Sequence, residues 1–373
     1  MLHDSCYMNR MSFLNKKIFN DSLDVFGLDL SDLSVKIVNL ESDGTSEYVA
    51  SYATVMLANG AIVDGEIQQK DQVVAAIKKA VETVGPAKIK TKKVICSLPE
   101  TKAFLRIVSI PQMSDDELNE AVKWEMEANI PLTLDQVYYD WQVIPAELLF
   151  EKNKVNLLVV AIAKAVVDQT IEVLELAGLE PVGLEIESIA QARSLLLEKN
   201  EKETILVVDI GDRRTSFSVT KGGVPCFTSS IPLCGQSLTD VISKGMNIGF
   251  EEAEKIKISY GIGDDFKNDT LFKSVQPVLE NLSQEIERSI DFFVTGLKYS
   301  DGIDKIIICG GGANTKGIVP YLSKKLGREI QLGNPWINMN LGKNLPIIEK
   351  GHSLQFSTAV GLALKGLHYE DIS

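Results

Sequence analysis

Two stretches of this chain, VFGLDLSDLSVKIV at residues 25–38 and LVVDIGDRRTSFSV at residues 206–219, follow one plan. Each begins as an apolar strand that ends in an aspartate, Asp29 or Asp209, passes through a short polar tip, and returns as a Ser/Thr-led apolar strand. Alternation of this kind predicts a β-hairpin. Because a strand–helix unit follows each hairpin, the repeat predicts duplicated α/β domains that face each other across a cleft.

An aspartate at a strand end, followed by a tip with free backbone amides, suits a phosphate–metal site. The amides and hydroxyls can hold phosphate oxygens, and the carboxylate can hold Mg²⁺ through its waters. Asp29 and Asp209 are therefore the candidate metal-side carboxylates, and Lys36 adds a cation in the first hairpin. The alternative is two ordinary hairpins, in which aspartate is simply a good turn residue. The hairpin hydroxyls available to a phosphate are those of Ser34, Thr215 and Ser216.

A glycine triplet, Gly310-Gly311-Gly312, follows a predicted buried strand and precedes Ala313 and a helix. Glycines let the backbone approach a base or a phosphate closely, because no Cβ intervenes. A strand-to-helix turn without a ligand is the alternative interpretation.

Three charged side chains complete the candidate set. Glu254 and Lys257 are spaced i, i+3 on a predicted helix and share a face. They could hold ribose hydroxyls or form a solvated ion pair. Glu187 begins a helix just before the second hairpin. Glu187 and Asp209 are the catalytic candidates. Glu187 could orient an attacking water, although helix N-termini favour glutamate in any case.

The composition excludes several classes of function. Against 38 Lys and Arg stand 51 Asp and Glu, and the net charge of −13 disfavours nucleic acid and anionic lipid as partners. No stretch reaches about 18 uninterrupted apolar residues, so no transmembrane span is predicted. Residues 1–22 lack a signal-peptide core and are expected to be a flexible terminus, with a weak interfacial helix around Phe13 as the alternative. Five scattered cysteines and three histidines favour a reducing cytoplasmic compartment over a disulfide framework or a Cys/His metal site.

A separate unit is predicted at residues 102–186. Its β-α-β-β-α-β order predicts a compact sheet with helices on one face. Trp124, Met126 and Ile130, on its first helix, are candidates either for the core of the unit or for a groove that receives a partner.

Taken in order, these motifs resemble the superfamily that contains actin, the heat-shock ATPases and the sugar kinases. GLDLSDLSVKIV resembles its first phosphate loop, DIGDRRTSFSV its second, and CGGGANTKGI its adenosine motif. Within that superfamily the chain is most similar to the PilM family of type IV pilus assembly, a relative of the cell-division protein FtsA. The supporting stretches are LRIVSIPQMSDDELNEAVKWEMEANIPL, VYYDWQVI and IPLCGQSLTDVISKGMNIGFEEAEKIK.

The resemblance implies an α/β fold with two facing actin-like (RNase H-like) domains around a nucleotide cleft and a small SHS2-like insert in the first. The implied division is a flexible N-terminus at 1–22, the first actin-like domain at 23–101 and 187–203, the insert at 102–186, the second actin-like domain at 204–345, and a C-terminal helix at 346–373 that returns to the first domain. The implied ATP and Mg²⁺ contacts are Asp29, Ser31, Ser34, Lys36, Asp209, Gly211, Arg213, Thr215, Ser216, Gly235, Glu254, Lys257, Gly310, Gly311, Gly312 and Ala313.

The resemblance also implies an adaptor that docks the N-terminal cytoplasmic tail of a PilN-like inner-membrane protein between the first domain and the insert. Such an adaptor is cytoplasmic, is recruited to the inner face of the membrane by that partner, and connects the assembly platform to motor components. At most weak ATP hydrolysis is expected, and self-association is left open. One departure from the family pattern is Ser31, which stands where glycine is usual and places a Cβ near the phosphate.

Three alternatives remain at this point. An FtsA-like division protein would call for a basic amphipathic C-terminal helix, whereas this sequence ends KGLHYEDIS. A type II secretion platform component usually continues into a transmembrane helix. A small-molecule kinase needs a substrate pocket with a deep catalytic carboxylate, and no sugar-kinase signature is visible.

Overall fold

The structure, a computed structural model, describes residues 24–130, 132–145, 148, 154–197, 202–262, 270–297, 299, 302–341, 347–348 and 350–368. The predicted flexible terminus at 1–22 lies outside the described residues. The strands are β1 (Phe26–Leu30), β2 (Ser34–Ser42), β3 (Glu47–Met56), β4 (Ile62–Val63), β5 (Glu66–Ile67), β6 (Gly85–Pro86), β7 (Lys93–Leu98), β8 (Ala103–Pro111), β9 (Val137–Val143), β10 (Lys154–Ala163), β11 (Glu180–Ile186), β12 (Thr204–Ile210), β13 (Thr215–Lys221), β14 (Val224–Ile231), β15 (Lys305–Cys309) and β16 (Ile330–Leu332). The helices are α1 (Lys70–Thr83), α2 (Asp115–Asn129), α3 (Lys164–Leu176), α4 (Glu187–Leu195), α5 (Gly235–Met246), α6 (Phe250–Tyr260), α7 (Thr270–Asp291), α8 (Ile318–Leu326), α9 (Lys350–Ser353) and α10 (Ser357–Leu367).

Two mixed sheets carry the repeat that the sequence predicts. The first has the strand order β11-β7-β1-β2-β3-β6, and the second has the order β14-β13-β12-β15-β16. In each, an antiparallel meander continues into parallel strands, with β7 beside β1 and β15 beside β12. The hairpins also agree in register, since Asp29 lies opposite Lys36 and Asp209 lies opposite Ser216. The predicted duplication is confirmed, and the two aspartates occupy equivalent positions at their strand ends.

The central unit differs from the prediction in one strand. Its sheet has three strands in the order β8-β10-β9, whereas residues 180–186, as β11, pair in parallel with β7 of the first large sheet. The prediction that residues 180–186 complete the sheet of the insert is therefore wrong. The reason is that β7, α3 and β11 form a parallel strand–helix–strand crossover, and the insert interrupts it between β7 and α3. The wider division of the chain into domains stays a prediction.

Helix α2 covers one face of the insert sheet. Leu118, Val122, Met126 and Ile130 are buried against that sheet, so two of the three groove candidates are core residues. Trp124 points away and is 70% exposed. It therefore remains available to a partner.

Helix α10 packs on β1 and on α4 with almost no space between backbones. A Cβ added at Gly361 would lie 1.8 Å from the Ala190 carbonyl oxygen, and one added at Gly27 would lie 2.3 Å from the Ala359 carbonyl oxygen. Only glycine permits such close approach. The helix that precedes the second sheet (α4) and the helix that follows it (α10) thus meet beneath the cleft.

Candidate functional site

The two hairpin tips and the glycine turn meet in a cleft between the two halves. The predicted site residues that line it are Asp29, Ser31, Lys36, Glu187, Asp209, Gly211, Arg213, Ser216, Gly310 and Gly311. The predicted residues outside this lining are Ser34, Thr215, Gly235, Glu254, Lys257, Gly312 and Ala313.

Two of the predicted hydroxyls are engaged in hydrogen bonds within the protein. The Oγ1 of Thr215 donates to the carbonyl oxygen of Leu233 at 2.6 Å. The Oγ of Ser34 lies 3.1 Å from the Oγ of Ser31. Both side chains are buried. Ser34 supports the first hairpin tip, and Thr215 ties the start of β13 to the segment that follows β14.

Asp29 is 4% exposed at the end of β1. Its Oδ2 pairs with Lys36 Nζ at 3.2 Å, and its Oδ1 accepts a hydrogen bond from Ser97 Oγ at 3.1 Å. Burial lowers the pKa of Lys36, but Asp29 and two further cleft carboxylates more than offset this, and the net pKa is raised. Lys36 is therefore a buried positive charge among the carboxylates of the cleft.

Asp209 is the counterpart of Asp29 in the second half. Its Oδ2 accepts a hydrogen bond from Gln191 Nε2 at 2.5 Å. Burial raises the pKa of Asp209 to about 6, against the effect of that hydrogen bond, and the charge of Asp29 adds to the rise. The ionised form of Asp209 is therefore destabilised, and a cation bound beside it would relieve that cost.

Removing the charge at Asp209 is expected to stabilise the free protein at neutral pH. The native state holds the Asp209 proton more tightly than the unfolded chain, whose pKa is near 3.8. The contribution of this group to the free energy of unfolding therefore falls as the pH rises from about 4 to about 6. We expect Asp209→Asn to raise the free energy of unfolding by about 1–3 kcal/mol near neutral pH and to change it little near pH 4. Urea unfolding across this range tests the prediction, and an equal gain at every pH would contradict it.

The two hairpin tips share a hydrogen-bonding pattern. The N–H of Ser31 donates to the Ser34 carbonyl at 3.0 Å, and the N–H of Gly211 donates to the Arg214 carbonyl at 2.9 Å. The Ser31 Oγ also lies 3.1 Å from the Ser34 carbonyl oxygen, so the serine keeps the turn that glycine makes in the second hairpin. Within the described residues no hydrogen-bond partner is found for the tip N–H groups of Asp32, Leu33, Asp212 and Arg213. Unpaired amides on a turn are a recurring anion-binding device.

The three glycines of the triplet have different surroundings. Gly310 has a φ of +83°, and a Cβ there would lie 2.0 Å from Asp209 Oδ1. A Cβ at Gly312 would lie 2.4 Å from Ile210 Cγ2, whereas the nearest atom to one at Gly311 is 3.7 Å away. Packing against β12 therefore accounts for Gly310 and Gly312, and Gly311 faces space that a bound group could fill.

The predicted ribose pair lies on α6. Lys257 Nζ is 2.8 Å from Glu254 Oε2 and also donates to the Gly235 carbonyl at 3.1 Å and to Thr239 Oγ1 at 2.9 Å. These contacts tie α6 to the first turn of α5. A role toward ribose stays a prediction.

The sequence analysis missed Glu100, which is buried and lines the cleft beside Glu187. Its Oε2 accepts a hydrogen bond from the backbone N–H of Ser188 at 3.1 Å. Burial first, and then the charges of the neighbouring carboxylates, raise the pKa of Glu187 well above its ordinary value. A neutral Glu187 can orient a water by hydrogen bonding but cannot take its proton.

Two arginines of the second tip reach across the mouth of the cleft. Arg213 donates to Asn59 Oδ1, and Arg214 Nη1 lies 3.2 Å from Asp64 Oδ1. The carboxylate of Asp32, at the first tip, accepts the N–H of Asp64 at 3.0 Å. The two halves are thus bridged at the mouth of the cleft as well as through α4 and α10 beneath it.

This arrangement defines an actin-like protein. MreB5 of Spiroplasma citri bound to AMPPNP has a TM-score of 0.53 at 14% identity, with 91% of this chain and 95% of that chain covered. The ethanolamine utilization protein EutJ from Carboxydothermus hydrogenoformans has a TM-score of 0.55 at 19% identity, with 93% and 90% covered. These likenesses show the fold alone, and they confirm the predicted class of two facing actin-like domains.

Residues 27–367 match the family model of the type IV pilus assembly protein PilM, and the chain belongs to that family. The predicted family is confirmed. A solved PilM-PilN type IV pilus biogenesis complex is 26% identical, with a TM-score of 0.78 over 93% of this chain and 99% of that chain.

The curated relatives of this chain include cell division proteins named FtsA. The cell division protein FtsA of Staphylococcus epidermidis is 26% identical over 247 residues, which are 61% of this chain and 50% of that protein. FtsA of Enterococcus faecalis is 25% identical over 350 residues, which are 83% of this chain and 78% of that protein. The chain thus spans about half the length of the first of these relatives.

Proposed function

We propose that this chain is a nucleotide-binding adaptor of type IV pilus assembly, which binds Mg-ATP between its two halves and docks the cytoplasmic tail of a PilN-like inner-membrane protein. The proposal of nucleotide binding rests on one observation, that two hairpin tips with unpaired amides converge beside two strand-end carboxylates. Family membership and the solved PilM-PilN complex support the proposed partner. The family match over residues 27–367 favours pilus assembly over the FtsA-like alternative.

The residues of the cleft fit a phosphate chain and its metal. Asp29 and Asp209 would hold Mg²⁺ through water, and Lys36 and the tip amides would hold phosphate oxygens. The open face of Gly311 leaves room beside them. In the described part of the chain, no three His, Cys, Asp or Glu side chains converge as a metal site. When bound, Mg²⁺ would neutralise phosphate charge that the two carboxylates alone would repel.

Hydrolysis is expected to be slow. Glu187 is the candidate that would orient an attacking water, and burial, followed by the charges of neighbouring carboxylates, raises the pKa of its carboxyl well above the ordinary value. Because a raised pKa makes the ionised form of Glu187, the form that can act as a base, less favourable, we expect turnover well below about one per second, against a typical enzyme median of about ten. A phosphate-release assay on the purified protein measures this. Turnover at or above the median would contradict the adaptor reading.

We infer that recruitment to the inner face of the cytoplasmic membrane depends on the partner, which would in turn connect this chain to the assembly platform and motor components. Among the described residues, no helix is both long and apolar enough to cross a membrane. The proposed docking groove lies between the insert and the first half, where Tyr138 of β9 donates to Asp168 of α3 at 3.1 Å. Lys164 Nζ, also on α3, lies 5.3 Å from the centroid of the Tyr138 ring. These contacts join β9 of the insert to α3 of the first half, beside the proposed docking position.

We propose that the partner tail continues from this groove over the outer face of the insert and contacts Trp124, since α2 packs on the sheet face opposite the one that meets the first half. Trp124 is 70% exposed on α2, a helix rich in acidic residues, and tryptophan is enriched among residues that dominate binding energy. We expect Trp124→Ala to weaken capture of a synthetic PilN-like tail about 30-fold, the equivalent of about 2 kcal/mol. Ile258→Ala, at a 64% exposed position on α6 of the other half, is the matched control and should bind normally.

A charge reversal on the same helix tests the face more widely. Glu120 pairs with Lys123 at 2.6 Å on the surface of α2, so Glu120→Lys changes the charge of the face without touching the core. Full binding of the tail by both Glu120→Lys and Trp124→Ala would remove this face from the docking site.

A further inference from the structure

Gln191 has a side-chain amide whose two N–H bonds are both used. It is 4% exposed in the middle of α4. Its Nε2 donates to Asp209 Oδ2 at 2.5 Å and to Thr358 Oγ1 at 3.1 Å. An amide NH₂ offers two hydrogens, so the geometry places one on the cleft carboxylate and the other on α10.

These three residues belong to the three elements that meet beneath the cleft. Gln191 lies on α4, Thr358 lies on α10, and Asp209 ends β12 of the second half. The hydrogen bond from Gln191 to Asp209 therefore connects the packed pair of helices α4 and α10 to the second half. It ends on the carboxylate that would face the metal.

The α4–α10 unit is itself fixed to the first half. Glu185, at 0% exposure in β11, holds Arg193 of α4 at 2.5 Å and Lys365 of α10 at 3.0 Å. Arg193 also donates to the Gly361 carbonyl at 3.0 Å. Because both helices are held in this way, the Gln191 amide is presented to Asp209 from a rigid support.

We propose that Gln191 is a positioning residue, which with Thr358 orients the Asp209 carboxylate for the metal–nucleotide complex and couples its occupancy to closure of the two halves. The inference rests on the proposed function of the cleft. A residue that orients a metal-side carboxylate raises the affinity for the metal without contacting it. By linkage, the bond that orients the carboxylate when the metal is bound also favours the domain arrangement in which the bond forms.

The test compares ATP affinity with Mg²⁺ in excess and with EDTA, in the wild type, Gln191→Leu and Thr358→Val. We expect Gln191→Leu to lose about 10–100-fold of affinity in Mg²⁺, the range for partners of metal ligands, and to match the wild type in EDTA. Thr358→Val should show a smaller loss of the same kind, and Thr358→Ser, which keeps the hydroxyl, should recover it. Small-angle scattering should show less compaction of Gln191→Leu than of the wild type on addition of Mg-ATP.

A control variant shows whether replacing a glutamine by leucine changes ATP affinity wherever the glutamine lies. Gln276→Leu makes the same substitution on α7, where the amide bonds Glu280, and should behave as the wild type. Gln191→Leu could lose ATP affinity equally in Mg²⁺ and in EDTA, or it could keep the full gain in affinity that Mg²⁺ gives the wild type. Either result would overturn the inference and leave the proposed function standing. If Gln191→Leu does not fold, Thr358→Val and Thr358→Ser decide. A wild type that does not bind Mg-ATP would overturn the proposed function and this inference with it.

Discussion

Replacing Gly310 by alanine should weaken nucleotide binding and destabilise the second half, whereas the same change at Gly302 should leave binding unchanged and cost less stability. Both glycines have a positive φ, +83° and +74°, so both variants pay about 1 kcal/mol for the left-handed backbone. They differ in surroundings. The new Cβ would lie 2.0 Å from Asp209 Oδ1 at Gly310, whereas at Gly302 no heavy atom of the described residues, chain neighbours apart, lies within 4 Å of it.

The clash at Gly310 can be relieved only by moving the carboxylate or the turn. Overpacking of this kind costs about 1–3 kcal/mol more, so we expect a total loss of about 2–4 kcal/mol for Gly310→Ala and about 1 kcal/mol for Gly302→Ala. Displacing Asp209 should weaken Mg-ATP binding at least about tenfold. Urea unfolding and calorimetric titration of both variants measure these quantities. Equal stability and equal binding in the two variants would contradict the described packing of the glycine turn.

Replacing Lys36 by methionine should be among the most destabilising single changes in the first half. Lys36 and Asp29 form a salt bridge whose side chains are 10% and 6% exposed. Removing one partner of a buried pair leaves an uncompensated charge and costs about 3–5 kcal/mol. The comparison is Lys70→Met, which breaks an exposed pair with Glu172 and should cost at most about 1 kcal/mol.

A double variant separates charge from packing in this prediction. Asp29→Asn combined with Lys36→Met removes both charges, so most of the loss caused by Lys36→Met alone should be recovered. Unfolding free energies of the single and double variants complete the cycle. A double variant as unstable as Lys36→Met would show that methionine packs badly at this site and that the buried charge is not the cause.

The repeat could be predicted from sequence because each hairpin carries its own signal. Alternation around a polar tip identifies the hairpin locally, and finding the pattern at both 25–38 and 206–219 indicates duplication. The structure adds that Asp29 and Asp209 share one register position, since each lies opposite the residue seven positions further along the chain. Ser31 keeps the tip geometry because its hydroxyl is satisfied within the turn.

The position of strand 180–186 could not be predicted in the same way. Its sequence, EPVGLEI, identifies a strand but carries no information about which sheet edge accepts it. The choice follows from the crossover with β7, a contact between residues far apart in the chain. A pattern of neighbouring residues does not predict pairing between segments that are far apart in the chain.

The supporting residues of the cleft were missed for a related reason. Ser97, Gln191 and Thr358 lie outside the repeated hairpins, in apolar segments where a single polar residue has many ordinary explanations. Only the folded chain brings Ser97 to Asp29 and Gln191 to Asp209. Conversely, Thr215 was a reasonable candidate from its place in the motif, but its hydroxyl is bonded to the Leu233 carbonyl.

The central claim is that the cleft between the two halves binds Mg-ATP, and isothermal titration of the purified full chain tests it most directly. The account predicts a heat signal that saturates at one nucleotide per chain, with a raised melting temperature in the presence of Mg-ATP. Titrations that show no heat, together with an unchanged melting temperature, would contradict the account.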